Sequence, residues 1–178
     1  VLVHHYKENT TEKLSNDVTI NGKVGESYTT QVATDIPQNY ELVATPSNAT
    51  GTMTEDQIVV IYYYRLKTPS VTNNITKTGT DRITVANQEM SYTVTYTANV
   101  TDYIGNAEVT IVDTLPYEID EAKSDLAGGT YDSASKTITW KENVSNIDSY
   151  NGNGTVNVTK TFKVVYVGLD MNQEKVVN

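Results

Sequence analysis

Apolar and polar residues alternate along much of this chain with a period of two. From Ser91 to Val100, Tyr92, Val94, Tyr96, Ala98 and Val100 share one side, and Thr93, Thr95, Thr97 and Asn99 the other. That pattern predicts a strand with one buried face. A second run groups Val156, Val158, Phe162, Val164 and Tyr166 opposite Asn157, Thr159, Thr161 and Lys163, with Lys160 sharing the apolar side. No stretch sustains a helical period, so the predicted fold class is mainly β. Asn21-Gly22, Gly128-Gly129, Asn151-Gly152 and Asn153-Gly154 supply turn residues that tolerate positive φ. The continuous apolar run Ile58 to Tyr64 predicts a strand buried on both faces. Pro69 follows it, restrains its predecessor and donates no hydrogen bond, so the chain divides into residues 1–67, a linker at 68–70, and residues 71–178. The halves do not resemble one another.

Composition sharpens this picture. A chain of 178 residues is long enough for two modules with separate cores. Its 13 Tyr and abundant Thr, Val and Asn suit pleated, half-buried surfaces. A net charge of −9 opposes phosphate backbones and anionic bilayers, so neither nucleic acid nor membrane is an expected partner. The absence of cysteine removes disulfides, thiolate catalysis and Cys-ligated zinc. The longest apolar run is too short to span a bilayer. With Val1-Leu2-Val3 opening directly on a strand and no signal peptide, the sequence reads as a piece of a longer, multi-repeat chain and is expected to be monomeric.

Within residues 1–67, several elements follow in order. They are Val1-Leu2-Val3-His4-His5-Tyr6, Gly22-Lys23-Val24-Gly25-Glu26-Ser27-Tyr28-Thr29-Thr30, Asn39-Tyr40-Glu41-Leu42-Val43, Gly51-Thr52-Met53-Thr54 and Ile58-Val59-Val60-Ile61-Tyr62-Tyr63-Tyr64. Together they resemble a MucBP repeat, the mucin-binding-protein module of surface proteins from lactic acid bacteria and Listeria. The resemblance implies a small β-grasp-like sheet and contact with mucin or other host glycoproteins. Gly25 suits a tight turn into the strand at Tyr28. His4 and His5 point to opposite faces of one strand, so they are expected to be surface or edge residues and not a shared metal pair. Tyr28 and Tyr63 are the expected exposed rings, since tyrosine offers an apolar face and a hydroxyl to a sugar.

In residues 71–178, Ile75-Thr76-Lys77-Thr78-Gly79, Tyr92-Thr93-Val94-Thr95-Tyr96, Val109-Thr110-Ile111-Val112-Asp113-Thr114-Leu115-Pro116, Gly129-Thr130-Tyr131, Thr137-Ile138-Thr139-Trp140 and Val176-Val177-Asn178 occur in sequence. This order resembles the Ig-like, isopeptide-forming repeats of Gram-positive adhesins. The resemblance implies a β-sandwich in which a first-strand lysine condenses with a last-strand asparagine, assisted by a buried acid. Lys77, Asn178 and Asp113 occupy those places. Burial favours the neutral, nucleophilic amine, and a neighbouring carboxylic acid can polarise the asparagine carbonyl. Parity places Asp113 with Val109 and Ile111, Lys77 with Ile75, and Asn178 with Val176. Alternatives stay open: Asp113 as a turn cap, Lys77 as an edge residue, Lys160 as the nucleophile, and Asn157, Asn172 or Asn106 as acceptor.

The function expected is therefore that of an extracellular, cell-wall-associated adhesin or stalk segment, with no cofactor, no metal and no turnover catalysis. Glycosidase-type pairs such as Asp120 with Glu121, or Glu55 with Asp56, diverge on adjacent positions. Asp120, Glu121 and Asp125 lack the spacing of a calcium loop.

Overall fold

The computed structural model describes residues 1–169. The chain forms two compact units, the first Val1–Thr68 and the second beginning at Pro69. Both are built of strands, and among the described residues the helical content is one 3-10 turn, Glu121–Lys123.

The first unit holds β1 (Leu2–Lys7), β2 (Val18–Thr19), β3 (Ser27–Thr29), β4 (Tyr40–Leu42), β5 (Thr50–Thr52) and β6 (Val59–Leu66). A four-stranded sheet runs in the order β2-β1-β6-β4, and β3 pairs with β5 apart from it. At its centre β1 and β6 are parallel, in register from Leu2 opposite Val59 to Lys7 opposite Tyr64. One face of this sheet is covered: Val3, Val60, Tyr62 and Tyr64 pack with Tyr28, Ala49 and Met53. The other face is open, and Val59 and Tyr63 stand out from it. The run Ile58 to Tyr64 is therefore buried on one face and not on two, because only the β3–β5 side brings apolar residues over it.

The second unit comprises β7 (Ser70–Gly79), β8 (Glu89–Thr101), β9 (Ile104–Thr114), β10 (Thr130–Asp132), β11 (Thr137–Asp148) and β12 (Thr155–Val165). They form two three-stranded antiparallel sheets, β12-β8-β7 and β10-β11-β9. The inward residues of both sheets share one core: Met90, Tyr92, Val94, Ala98, Val156, Val158, Phe162 and Val164 from one, Ile111, Ile138, Trp140 and Ile147 from the other. This is a β-sandwich, and its inward set in β8 and β12 is the one the alternation predicts. Phe162 lies at its centre, with ring centroids 5.1 Å from Trp140 and 5.5 Å from Tyr92. The Gly128-Gly129 pair does two jobs. Gly128 turns the chain at φ +79°, and a Cβ on Gly129 would stand 2.6 Å from Trp140, so the backbone there can pass over the indole only without a side chain. Trp140 Nε1 donates to the Leu126 carbonyl oxygen at 2.7 Å in the same loop.

At one side of the sandwich, β7 pairs with β8 and β9 with β11, and neither has a second ladder partner among the described residues. Ile75 shares its face with Lys77 but is 55% exposed, since the opposing sheet ends at β9 and does not extend over it. Parity therefore sets the face that Ile75 shares with Lys77 but does not bury it.

Candidate functional site

Two places carry chemistry, one in each unit. In the second, Lys77 on β7 and Asp113 on β9 reach across the sandwich from opposite sheets. Lys77 Nζ donates to both carboxyl oxygens of Asp113, at 2.9 and 2.7 Å. The side chains are 18% and 13% exposed. The ammonium also lies 4.7 Å from the centroid of the Tyr92 ring and 5.6 Å from that of Phe162. Burial pushes the Lys77 pKa below its ordinary value, and the hydrogen bond and charge of Asp113 only partly offset this. The arrangement brings a partly desolvated amine and a carboxyl group to one spot beside the edge of β7 that has no ladder partner among the described residues. Asp113 is thus held in an ion pair, and Lys77 does not extend into water.

The competing assignments are placed too. Lys160 lies on the inward face of β12 and is hydrogen-bonded to Glu142 of β11, whose carboxylate is 40% exposed. Asn157 is exposed on the outer face of β12, opposite Thr97. Asn106 is exposed on β9 and its Oδ1 accepts from the Asn146 backbone N–H at 3.0 Å. Neither asparagine faces Lys77. Asn178 and Asn172 lie outside the described residues. Asp120 pairs with Lys123 at 2.7 Å, and no group of three or more acids or histidines able to hold a metal occurs among the described residues.

In the first unit the tyrosines separate by parity along β6. Tyr62 and Tyr64 are buried, whereas Tyr63 is 39% exposed on the open face. Tyr28 is only 7% exposed, contrary to its expected place at the surface. The cause is its β5 partner in register, Gly51, whose missing side chain leaves room for the ring, and Tyr28 Oη donates to the Asn48 carbonyl oxygen at 3.1 Å. The two histidines do point to opposite faces. His4 pairs with Asp17 at 2.9 Å and stacks on Tyr6 at 5.1 Å. His5, expected at a surface or edge, is instead 1% exposed. It stacks on Tyr62 at 5.3 Å, with Nδ1 3.0 Å from Tyr64 Oη. Burial lowers its pKa, against the opposing pull of Asp35 and Asp17. Sequence reasoning missed it because a lone polar residue on an inward strand position gives no sign of the tyrosine hydroxyl that satisfies it.

The chain is 34% identical over 140 residues, 76% of its length, to Internalin J of Listeria monocytogenes serotype 4b, and those residues cover 14% of that protein. It is 43% identical over 60 residues, 34% of its length, to Internalin J of Listeria monocytogenes serovar 1/2a, of which they cover 7%. The chain thus spans a small fraction of the length of these relatives. No solved structure matches it. Residues 1–65, nearly the whole of the first unit, match the MucBP domain.

Proposed function

We propose that this chain is a segment of a bacterial surface adhesin, in which the first unit contacts mucin or other host glycoproteins and the second is an Ig-like spacer locked by an amide between Lys77 and Asn178. The MucBP match and the similarity to Internalin J support the adhesive half of this reading. The meeting of Lys77 with Asp113 in a half-buried site carries the other half. Such a protein works outside the cell, at its surface or wall, and needs no turnover catalysis.

The chemistry is a single condensation. Lys77 Nζ, as the free amine, attacks Cγ of Asn178. The Nζ–Cγ bond forms, the Cγ–Nδ2 bond breaks, and ammonia leaves as Asp113 relays a proton from the attacking nitrogen to the departing one. Desolvation of Lys77 raises the fraction present as amine. The edge of β7 that has no ladder partner among the described residues is the side from which the acceptor can approach. Once formed, the amide resists reduction and ties the first strand of the sandwich to its last, as a disulfide does in other secreted proteins.

Intact mass tests the lock. The purified chain is expected to weigh one ammonia less than its sequence, and Lys77→Ala or Asp113→Ala restores the full mass. Full mass in the unsubstituted chain removes the amide and leaves the sandwich as an unlocked spacer. Adhesion is tested separately, by binding of the 178-residue chain to immobilised mucin. Absence of binding would reduce the first unit to a spacer as well.

A further inference from the structure

The open face of the first sheet holds a feature that the core does not explain. Tyr6 of β1 and Tyr63 of β6 are register partners on adjacent parallel strands, so their side chains leave the sheet on the same face. His4 continues the row by stacking on Tyr6 with an interplanar angle of 12°. Beside Tyr63 is an open depression of about 620 Å³, lined by Glu8, Asn9, Thr10, Thr11, Val43 and Tyr63. One wall is apolar, formed by the half-exposed Tyr63 and Val43. The other is the polar turn that follows β1.

That turn is held rigidly by its own backbone. The Glu8 N–H donates to the Tyr64 carbonyl oxygen at 2.8 Å and the Lys7 N–H to the Glu12 carbonyl oxygen at 2.9 Å. Thr10 Oγ1 donates to the Lys7 carbonyl oxygen at 2.9 Å. Asn9 takes the left-handed conformation, φ +59°, an uncommon state for a residue with a side chain. The side chains of Glu8, Asn9 and Thr11 and the Tyr63 hydroxyl make no hydrogen bond to other described residues. Side-chain donors and acceptors therefore rim an exposed aromatic ring.

The charge of the rim is selective. Two cations on the adjoining strands are matched, Lys7 by Glu12 at 3.5 Å and Arg65 by Glu41 at 2.7 Å. Glu8 makes no ion pair among the described residues, although its charge acts through space on Arg65, and it places a carboxylate on the rim of the depression within a chain of net charge −9. A carboxylate accepts hydrogen bonds from hydroxyl groups but repels another carboxylate or a sulfate.

From these observations we propose that the depression beside Tyr63 binds an uncharged pyranose, a hexose or N-acetylhexosamine at the end of a glycan. The C–H face of the sugar lies on the Tyr63 ring and its hydroxyls meet Glu8, Asn9 and Thr11, and termini capped by sialic acid or sulfate are rejected. The assignment rests on the first unit being a glycan-contacting module and adds to it the position, the ligand class and the sign of discrimination.

The test uses the 178-residue chain on two immobilised oligosaccharides that differ only at the terminus, one ending in galactose and the other in sialic acid. The galactose-terminated glycan is expected to bind at least about tenfold more tightly. Tyr63→Ala is expected to weaken that binding by about tenfold, and Tyr63→Phe, which keeps the ring, by much less. Glu8→Gln is expected to narrow the gap between the two glycans while leaving the galactose-terminated one bound. Equal or stronger binding of the sialylated glycan, or full binding by Tyr63→Ala, overturns the assignment. If mucin binding persists in either case, the adhesive reading stands and its site lies elsewhere. If the unsubstituted chain binds neither glycan nor mucin, both fall.

Discussion

In each unit a nitrogen base is buried against aromatic rings, and the two are resolved differently. His5 rests on Tyr62 with a tyrosine hydroxyl as its partner, and Lys77 sits near the rings of Tyr92 and Phe162 with a carboxyl group as its partner. Burial lowers the pKa of both. An imidazole loses its charge near neutral pH, so a neutral hydroxyl is enough to satisfy it. An amine holds its proton far more tightly, so a site that desolvates it must supply a counter-charge or remove the charge covalently. The same burial therefore yields a packing residue in one unit and a desolvated ion pair in the other. A third case marks the boundary: Lys160 is as buried as Lys77, but its partner Glu142 opens to solvent, which screens the pair.

The largest effect is expected at the Lys77 site. In an Asn178→Ala background, where the amide to that residue cannot form, Asp113→Ala leaves a half-buried ammonium without its partner. It should cost about 3–5 kcal/mol in urea unfolding of the second unit. The double replacement Lys77→Met with Asp113→Leu should recover most of that loss, and a loss as large as the single variant's would mean that packing, not charge, holds the site.

A smaller effect is expected at His5. Its folded pKa lies below the unfolded value, so below about pH 6.5 the unfolded chain binds the proton more readily than the folded one. The contribution of neutral His5 is complete above that pH and is lost as pH falls, by at most about 1.4 kcal/mol per unit. Urea melts of the first unit at pH 7 and pH 5 read this, and His5→Gln should flatten the difference. Smallest is Glu142→Gln, expected to cost about 0–1 kcal/mol because its side chain opens to solvent, which screens the pair. A cost comparable to Asp113→Ala would erase the distinction between the two lysines.

The sandwich was legible wherever one face meets a core and the other meets water. Alternation in β8 and β12 reports this directly, and parity carried Lys77 and Asp113 to the same interior. It did not settle Ile75, because parity tells which side a residue faces but not whether another sheet lies over it. It failed for Tyr28 because its burial depends on the small residue opposite, Gly51, on a strand more than twenty positions away. Composition spoke of adhesion only through the resemblance, whereas the rim of Glu8, Asn9 and Thr11 exists only once a turn folds beside β6.

The parallel union of β1 with β6 has a mechanical corollary. Forces that draw Leu2 and Leu66 apart act along the two strands in opposite directions, so the ladder between Leu2–Lys7 and Val59–Tyr64 is loaded in shear. Its hydrogen bonds are then loaded together and not one after another from an end, so tension between the two ends of the first unit is shared along this ladder without any covalent tie.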